Sequence, residues 1–264
     1  KYNGERLSHE KDPALLTFGG AFSNHLAATA KACKLYGIPT IGIVRGEEWA
    51  AKIEKSTTLD YCRKQEMKLF CVPREVYRQK EQSFIVQKLR SQQKNLFVLP
   101  EGGTNSLAVK GCKEILTVKD QKFEVICCCV GTGGTLSGIV ESSRSNQFVL
   151  GFNALNNREI SQSINKFTQK KNWSLLTDYT FGGYANVTPE LIEFMNHFYQ
   201  QYQIPLDPIY TGKMLFGIFD LIKKKQWRWG NNILVIHSGG LQGIKSMNLR
   251  LQKKELPILN FGNL

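Results

Sequence analysis

Four glycine-bearing stretches hold the residues of this 264-residue sequence whose types and spacing could do chemistry. They are Phe18-Gly19-Gly20-Ala21-Phe22-Ser23-Asn24-His25, Val130-Gly131-Thr132-Gly133-Gly134-Thr135, Tyr210-Thr211-Gly212-Lys213 and His237-Ser238-Gly239-Gly240, each following a strand-like or apolar run. The second is the strongest in physical terms. Its glycines let the backbone approach an anion, a helix opening at Thr135 offers unpaired N–H groups and the positive end of its dipole, and Thr132 and Thr135 add hydroxyl donors. Those features describe a phosphate cradle, although a close strand-to-helix turn needs no ligand to exist. The stretch lacks the Gly-Lys-Ser/Thr ending of a nucleoside-triphosphate loop, and its Gly-x-Gly-Gly spacing misses the dinucleotide pattern.

Ser23 lies where an apolar run gives way to helical period, so it reads first as a helix N-cap. A capping serine can also face a ligand carboxylate beside the next backbone N–H groups, and the two roles are compatible. His237 follows a buried-looking run and reads as a satisfied core histidine, while His9 and His197 are isolated. No His/Cys/Asp/Glu cluster has metal-ligand spacing, so no metal site is expected. A hydrolytic triad can be drawn on paper from Ser23, His237 and Asp178, but no Gly-x-Ser-x-Gly elbow supports it.

The elements that must position these residues are short apolar, β-rich runs alternating with helical period, the mark of βαβ units and a parallel sheet. Strands are expected at 15–18, 40–44, 68–72, 96–99, 125–130, 148–152 and 233–237. Helices are expected at 24–36, 75–89, 107–116, 135–143, 189–203 and 213–224. The first of these ends before Gly37 and Pro39, and Thr188-Pro189 is a capped start for the fifth. Where strands of an open α/β sheet end, ligands bind, so the four glycine stretches can serve one shared crevice. A domain boundary is expected near Glu101-Gly102-Gly103-Thr104-Asn105.

Composition closes off other classes. Hydrophobic residues at 42% exclude a disordered chain, and no apolar run is long enough to span a bilayer. The net charge of +13 raises nucleic-acid binding, but the lysines are scattered and the densest groups are Lys170-Lys171, Lys223-Lys224-Lys225 and Lys253-Lys254. None is a long basic stripe with interleaved aromatics, so they read as solvated surface. Seven cysteines, odd in number and set in apolar patterns without C-x-x-C spacing, indicate neither a disulfide framework nor zinc, and suggest a reducing compartment. The sequence opens at Lys1 with no secretory leader, which suggests a processed or truncated start.

Thr17 to His25, Gly131 to Thr135, the stretch Ile204-Pro205-Leu206-Asp207-Pro208-Ile209-Tyr210-Thr211-Gly212-Lys213 and the stretch Ile236-His237-Ser238-Gly239-Gly240-Leu241-Gln242-Gly243 together resemble the family of 1-aminocyclopropane-1-carboxylate deaminases and D-cysteine desulfhydrases. The resemblance runs through essentially the whole chain in order. It implies a fold-type II pyridoxal-phosphate enzyme, similar to the tryptophan synthase β subunit, with two three-layer α/β/α domains and mainly parallel sheets. Residues 14–105 would form the smaller domain, and 1–13 with 106–264 the larger, cofactor-binding one. Pyridoxal 5'-phosphate would be the cofactor, with Gly131, Thr132, Gly133, Gly134 and Thr135 on its phosphate. Asn24 would bond the ring hydroxyl, Tyr210 would pack at the ring and substrate side as a catalytic group, and Ser238 would face the pyridine nitrogen. Ser23 would be the active-site serine, acting on substrate with Asn24, His25 and Thr211 beside it. Gly182-Gly183-Tyr184 also resembles a family segment near the site.

Two positions bear on the substrate. The deaminases carry an acid directly after the tyrosine and a leucine near the final Gly-Gly, where this sequence has Thr211 and Ser238. Both point to α,β-elimination from D-cysteine or a related D-amino acid, giving sulfide, ammonia and pyruvate, with deaminase activity as the alternative. The lysine that the family joins to its cofactor lies in a Gly-Asn-Lys stretch ahead of a segment like Lys1-Tyr2-Asn3, so it is expected upstream of the sequence given, and neither Lys1 nor Lys213 takes its role. The chain as given is then expected to be inactive without it. The resemblance further implies a cytoplasmic homodimer acting on a small amino acid, without a nucleic-acid or membrane partner. A non-catalytic protein that binds pyridoxal phosphate or an amino acid would share every visible motif.

Overall fold

Alternate residues of one strand feed two different cores, as a parallel sheet covered by helices on both faces requires. The run Val-Ile-Cys-Cys-Cys-Val shows it: Val125 and Cys127 enter one buried cluster, and Ile126, Cys128 and Val130 enter another. This computed structural model describes residues 1–155, 157 and 159–262. The chain divides into two compact units, Lys1–Ala108 and Val109–Leu264.

The first unit contains α1 (Tyr2–Ser8), β1 (Ala14–Gly20), α2 (Asn24–Leu35), β2 (Thr40–Arg45), α3 (Thr57–Lys64), β3 (Lys68–Val72), α4 (Arg74–Arg78), α5 (Phe84–Gln92) and β4 (Leu96–Val98), and α6 (Ser106–Cys112) leads out of it. Its strands form a parallel sheet in the order β3-β2-β1-β4. Residues 1–13, which the resemblance groups with the later part of the chain, contain α1, whose Leu7 packs with Leu15, Cys33, Ile38 and Leu99.

The second unit contains β5 (Val125–Val130), α7 (Gly134–Ser142), β6 (Phe148–Asn153), α8 (Ile160–Asn165), β7 (Trp173–Leu176), α9 (Pro189–Tyr202), α10 (Thr211–Lys223), β8 (Ile233–Val235) and α11 (Ile244–Gln252). Its sheet is also parallel, in the order β7-β6-β5-β8. Helices α9, α10 and α11 cover one face around Leu191, Met195, Met214, Ile218 and Met247, and α7 and α8 cover the other with Leu136, Ile139, Ile160 and Ile164. Chain order therefore reverses between β1 and β4 and again between β5 and β8. These are the positions where an open α/β sheet leaves a crevice beyond its strand ends.

The structure departs from the sequence reading in particular places. The expected helix 75–89 is broken, because Lys80 takes a left-handed φ of 49° and Ser83 is extended before α5 begins. The break is held by tertiary contacts: the Lys80 ammonium pairs with Glu101 Oε2 at 2.6 Å and lies 3.4 Å over the Tyr77 ring, and Ser83 Oγ donates to the Lys80 carbonyl. Strand β8 stops at Val235 rather than 237, although the Ile236 N–H still reaches the Cys127 carbonyl at 2.9 Å. Strand β7 and helices α1, α3, α8 and α11 fall where no element was expected. All seven cysteines are free thiols, and burial pushes that of Cys62 up to about 12. Among the described residues no helix is long and apolar enough to cross a membrane.

Two close approaches fix the loop ends. A Cβ on Gly138 of α7 would lie 2.3 Å from Cys112 Cβ and 2.8 Å from the Val109 carbonyl oxygen, so only glycine lets α7 come this near to the preceding helix. In the first unit, Thr17 Oγ1 of β1 donates to the Leu99 carbonyl at 2.9 Å. Its single hydrogen is thereby spent, so at 2.7 Å it accepts from His25 Nε2, which makes the neutral ring the Nε2–H form. The ring also fills the space that a Cβ on Gly103 would take, 2.8 Å away. His25 thus ties α2, β1 and the segment after β4 together, and burial lowers its pKa to about 4 against a smaller opposing pull from Glu101.

Gly138→Val should destabilise the protein by about 2 to 3 kcal/mol in urea unfolding, from overpacking against backbone that cannot yield. Gly243→Ala, where a Cβ meets nothing within 4 Å, should stay within about 0.5 kcal/mol of the parent. For His25 the folded chain resists a proton that the unfolded chain binds, so its contribution is full above pH 6.5 and is lost as pH falls toward 4. Between pH 7 and pH 5 this group should cost about 1 to 2 kcal/mol of stability, and His25→Gln should remove that part of the acid sensitivity.

Candidate active site

In the second unit the site begins where β5 ends. Gly131 is pressed against an aromatic ring: a Cβ there would lie 3.4 Å from Tyr210 Cε1 and 3.5 Å from its hydroxyl oxygen. Gly133 caps α7 in the left-handed region at φ 88°, and a Cβ on it would come within 2.8 Å of Ile164 Cγ1. The first N–H groups of α7 have no acceptor inside the helix, and no acidic residue stands in its first turn. Thr132 and Thr135 flank that start, with Cys112 Sγ 4.0 Å from Thr135 Oγ1. Glycines, an uncapped positive helix end and two hydroxyls form a donor set that fits a phosphate dianion. The adjoining Tyr210 ring suits a flat aromatic group carried on that phosphate.

Tyr210 is held by a buried carboxylate that the sequence reading did not single out. Asp207 Oδ1 accepts from the backbone N–H groups of Ile209 and Tyr210, both at 2.9 Å, and Oδ2 accepts from the Thr211 N–H and hydroxyl, both at 2.8 Å. Burial pushes the Asp207 carboxyl up, and those four hydrogens pull it back. The Asp-Pro-x-x-Thr spacing is the available signal, since an aspartate before proline commonly caps the turn that follows. Thr211, expected at the substrate, is 0% exposed and spends its hydroxyl on Asp207.

Lys213, two residues on, is 1% exposed. Its ammonium donates to the carbonyls of Thr180 at 2.8 Å and Gly183 at 2.7 Å, and burial lowers its pKa to about 8 against the raising charge of Asp207. The 180–186 loop so held sets the Tyr184 ring 6.5 Å from that of Tyr210, edge to face. An isolated lysine in a helical pattern reads as exposed, so its burial had no signal in the sequence.

Beyond β8, His237 is exposed and both ring nitrogens are engaged. Nδ1 accepts from the Gly239 N–H at 3.1 Å, so Nε2 carries the hydrogen and donates to the Pro205 carbonyl at 2.9 Å. The histidine is therefore neither a core residue nor a free base, but the brace of a turn in which Gly239 and Gly240 have φ of 88° and 96°. Ser238 is exposed on that turn.

In the first unit Ser23 caps α2, its Oγ accepting from the Leu26 N–H at 3.2 Å. That bond leaves the hydroxyl hydrogen to be given elsewhere. Gly19 is required beneath it, because a Cβ would lie 2.6 Å from Leu26 Cγ and 2.7 Å from Ser23 Oγ. Asn24 is the first residue of α2, and His25 turns back to Thr17. The structure therefore groups Ser23, Asn24 and His25 at one helix start in the first unit. In the second it joins Gly131 to Tyr210 at the start of α7 and puts Ser238 beyond the neighbouring strand.

Known proteins share this architecture. The family described as pyridoxal-phosphate dependent enzyme matches residues 5–239. A Pyrococcus horikoshii protein provisionally named a 1-aminocyclopropane-1-carboxylate deaminase is 28% identical over 266 residues, which cover 91% of this chain and 77% of that one. The mitochondrial bifunctional D-cysteine desulfhydrase/1-aminocyclopropane-1-carboxylate deaminase of Arabidopsis thaliana is 28% identical over 261 residues, covering 87% of this chain and 64% of that one. A solved structure of an ACC deaminase homologue, 24% identical, superposes with a TM-score of 0.77 over 96% of this chain and 80% of its own, a likeness of fold. With the family match running from the first unit's α1 through the turn after β8, over a phosphate cradle of the right chemistry, this chain belongs to the pyridoxal-phosphate-dependent enzymes, among the relatives of 1-aminocyclopropane-1-carboxylate deaminase and D-cysteine desulfhydrase.

Proposed function

We propose that the protein catalyses pyridoxal-phosphate-dependent α,β-elimination on a small D-amino acid, D-cysteine above all. The observation that carries this reading is the residue after Tyr210. The deaminases of the resemblance present an acid there, whereas Thr211 is neutral, wholly buried and bonded to Asp207. Ser238 in place of a leucine supports the same branch. Deaminase action on 1-aminocyclopropane-1-carboxylate is the second reading, favoured by the relatives that bear that name.

Pyridoxal phosphate, when bound, supplies the sink for the electrons released as the Cα–H bond breaks. This chain's residues would hold the cofactor and the substrate. Gly131 to Thr135 take the phosphate at the start of α7. By the resemblance, Asn24 would bond the ring hydroxyl, and Ser238 would offer the ring nitrogen a hydroxyl rather than a charge, which would suit elimination better than chemistry needing the fullest electron sink. Ser23, with the first N–H groups of α2, holds the substrate carboxylate, and the Tyr210 phenol handles a proton on the substrate side. For D-cysteine the balance is one water in, and sulfide, ammonia and pyruvate out.

Protein that includes the lysine implied by the resemblance, loaded with pyridoxal phosphate, should release sulfide and pyruvate from D-cysteine with a kcat/KM at least about tenfold above that for 2-oxobutyrate formation from 1-aminocyclopropane-1-carboxylate. The reverse ranking would give the site to the deaminase reading. Ser23→Asp separates capping from carboxylate binding, because aspartate caps as well as serine but repels an anion. Thermal unfolding of this variant should stay within about 2 °C of the parent, while KM for D-cysteine should rise more than about tenfold. An unchanged KM would leave Ser23 as a cap alone.

A further inference from the structure

The loop that carries Tyr184 has the least comfortable backbone of the second unit. Phe181, Gly182, Gly183 and Ala185 have φ of 52°, 83°, 107° and 58°, and two of these residues bear side chains in the region that favours glycine. Such a conformation persists only where its surroundings over-determine it. Two backbone bonds close its turns: the Gly183 N–H to the Thr180 carbonyl at 3.0 Å, and the Asn186 N–H to the Gly183 carbonyl at 3.3 Å. Those same two carbonyls are the acceptors of the Lys213 ammonium. Arg250 of α11 adds a bond to the Ala185 carbonyl at 3.2 Å, and the Phe181 ring packs edge to face on Phe216 at 5.0 Å.

Thr211, Gly212, Met214 and Leu215, the neighbours of Lys213 on α10, are buried with it. An apolar residue of similar length would fill that place without the cost of burying an ammonium. What distinguishes lysine is where its hydrogens go. We propose that Lys213 is a positioning residue, which clamps the 180–186 loop through its two turn-closing carbonyls and so sets the Tyr184 ring against Tyr210. The link to turnover rests on the function proposed above, whereas the clamp itself does not.

Lys213→Met keeps the stem and removes the charge. Amide hydrogen exchange of the full chain should show protection at Gly183 and Asn186 falling by about tenfold or more, with the amides of Met214 in α10 and of Lys224 at its C-cap unchanged. In D-cysteine turnover by protein that includes the lysine implied by the resemblance, kcat should fall about tenfold while KM and the pyridoxal phosphate Kd stay within about twofold. Unchanged exchange at Gly183 and Asn186 would overturn the clamp even if turnover dropped. A parent protein that includes the implied lysine and still lacks D-cysteine turnover would defeat the elimination reading and leave the exchange result to decide the clamp.

If the variant does not fold, the parent itself provides the test, because the buried amine titrates at about 8. The charge that acts on it is that of Asp207 ahead of α10, and the loop it clamps carries Tyr184, set against Tyr210, and meets Arg250 of α11 at the Ala185 carbonyl. Protection at Gly183 and Asn186, corrected for the intrinsic exchange rate, should fall between pH 7 and pH 9 while the α10 amides hold. Parallel behaviour of both sets would overturn the proposal.

Discussion

The second unit depends on one buried carboxylate. Asp207 is 1% exposed, and removing an ionised carboxylate from water is costly unless its oxygens are filled. Three backbone N–H groups and the Thr211 hydroxyl fill them, and each bond is strengthened by the charge it meets. The bonds fix the first turn of α10, and with it the direction of everything that turn carries. Tyr210 is laid against Gly131, Thr211 is turned inward, and Lys213 is aimed at the 180–183 carbonyls. A change at Asp207 would therefore reach the phosphate loop and the Tyr184 loop without touching either directly.

The same strand arrangement occurs in both units and explains why the functional residues lie where they do. In each sheet the first strand has the second on one side and the last on the other. The loop after the first strand therefore departs beside the loop after the last, at the place where chain direction across the sheet reverses. In the first unit these are the turn before α2 and the segment holding Gly103, which the His25 ring joins. In the second they are the 131–135 loop and the turn braced by His237. The parallel pairing of β5 with β8 at Cys127 and Val235 fixes how far apart those last two loops start.

Much of this was legible because it depends on local periodicity. Short apolar, β-rich runs alternating with helical period gave the seven strands that were expected, and Thr188-Pro189 and Ser23 announced their helices by capping. The rest depends on partners distant in sequence. Strand β7 is four residues long, half-buried and preceded by Lys170-Lys171, so nothing local separates it from a loop. Helix α3 had usable marks in the Ser56 cap and the pairing of Asp60 with Arg63 and Lys64. The break before α5 had none, because it is made by Glu101 and Tyr77 acting on Lys80. At the candidate site, the glycine turn into α7 and the Ser23 cap were readable from residue type, whereas the burial of Lys213 follows only from tertiary packing.

Electrostatics sorts the helix starts of the two units. Helices α2 and α7 begin without an acidic residue in the first turn, and their caps, Ser23 and Gly133, are uncharged. His25 beside the first of them is kept neutral by burial, so that it adds no charge to the end of α2. These two starts therefore keep positive ends that no charge of their own cancels, the feature that suits a helix start to an anion. Helix α10 is different, because Asp207 already occupies its start. Tyr210 therefore stands at a helix end whose charge has been cancelled, and what it offers a ligand is a ring and a phenol rather than a field. Within the second unit that division separates the uncharged face of the Tyr210 ring from the positive start of α7, which lies across Gly131 from it.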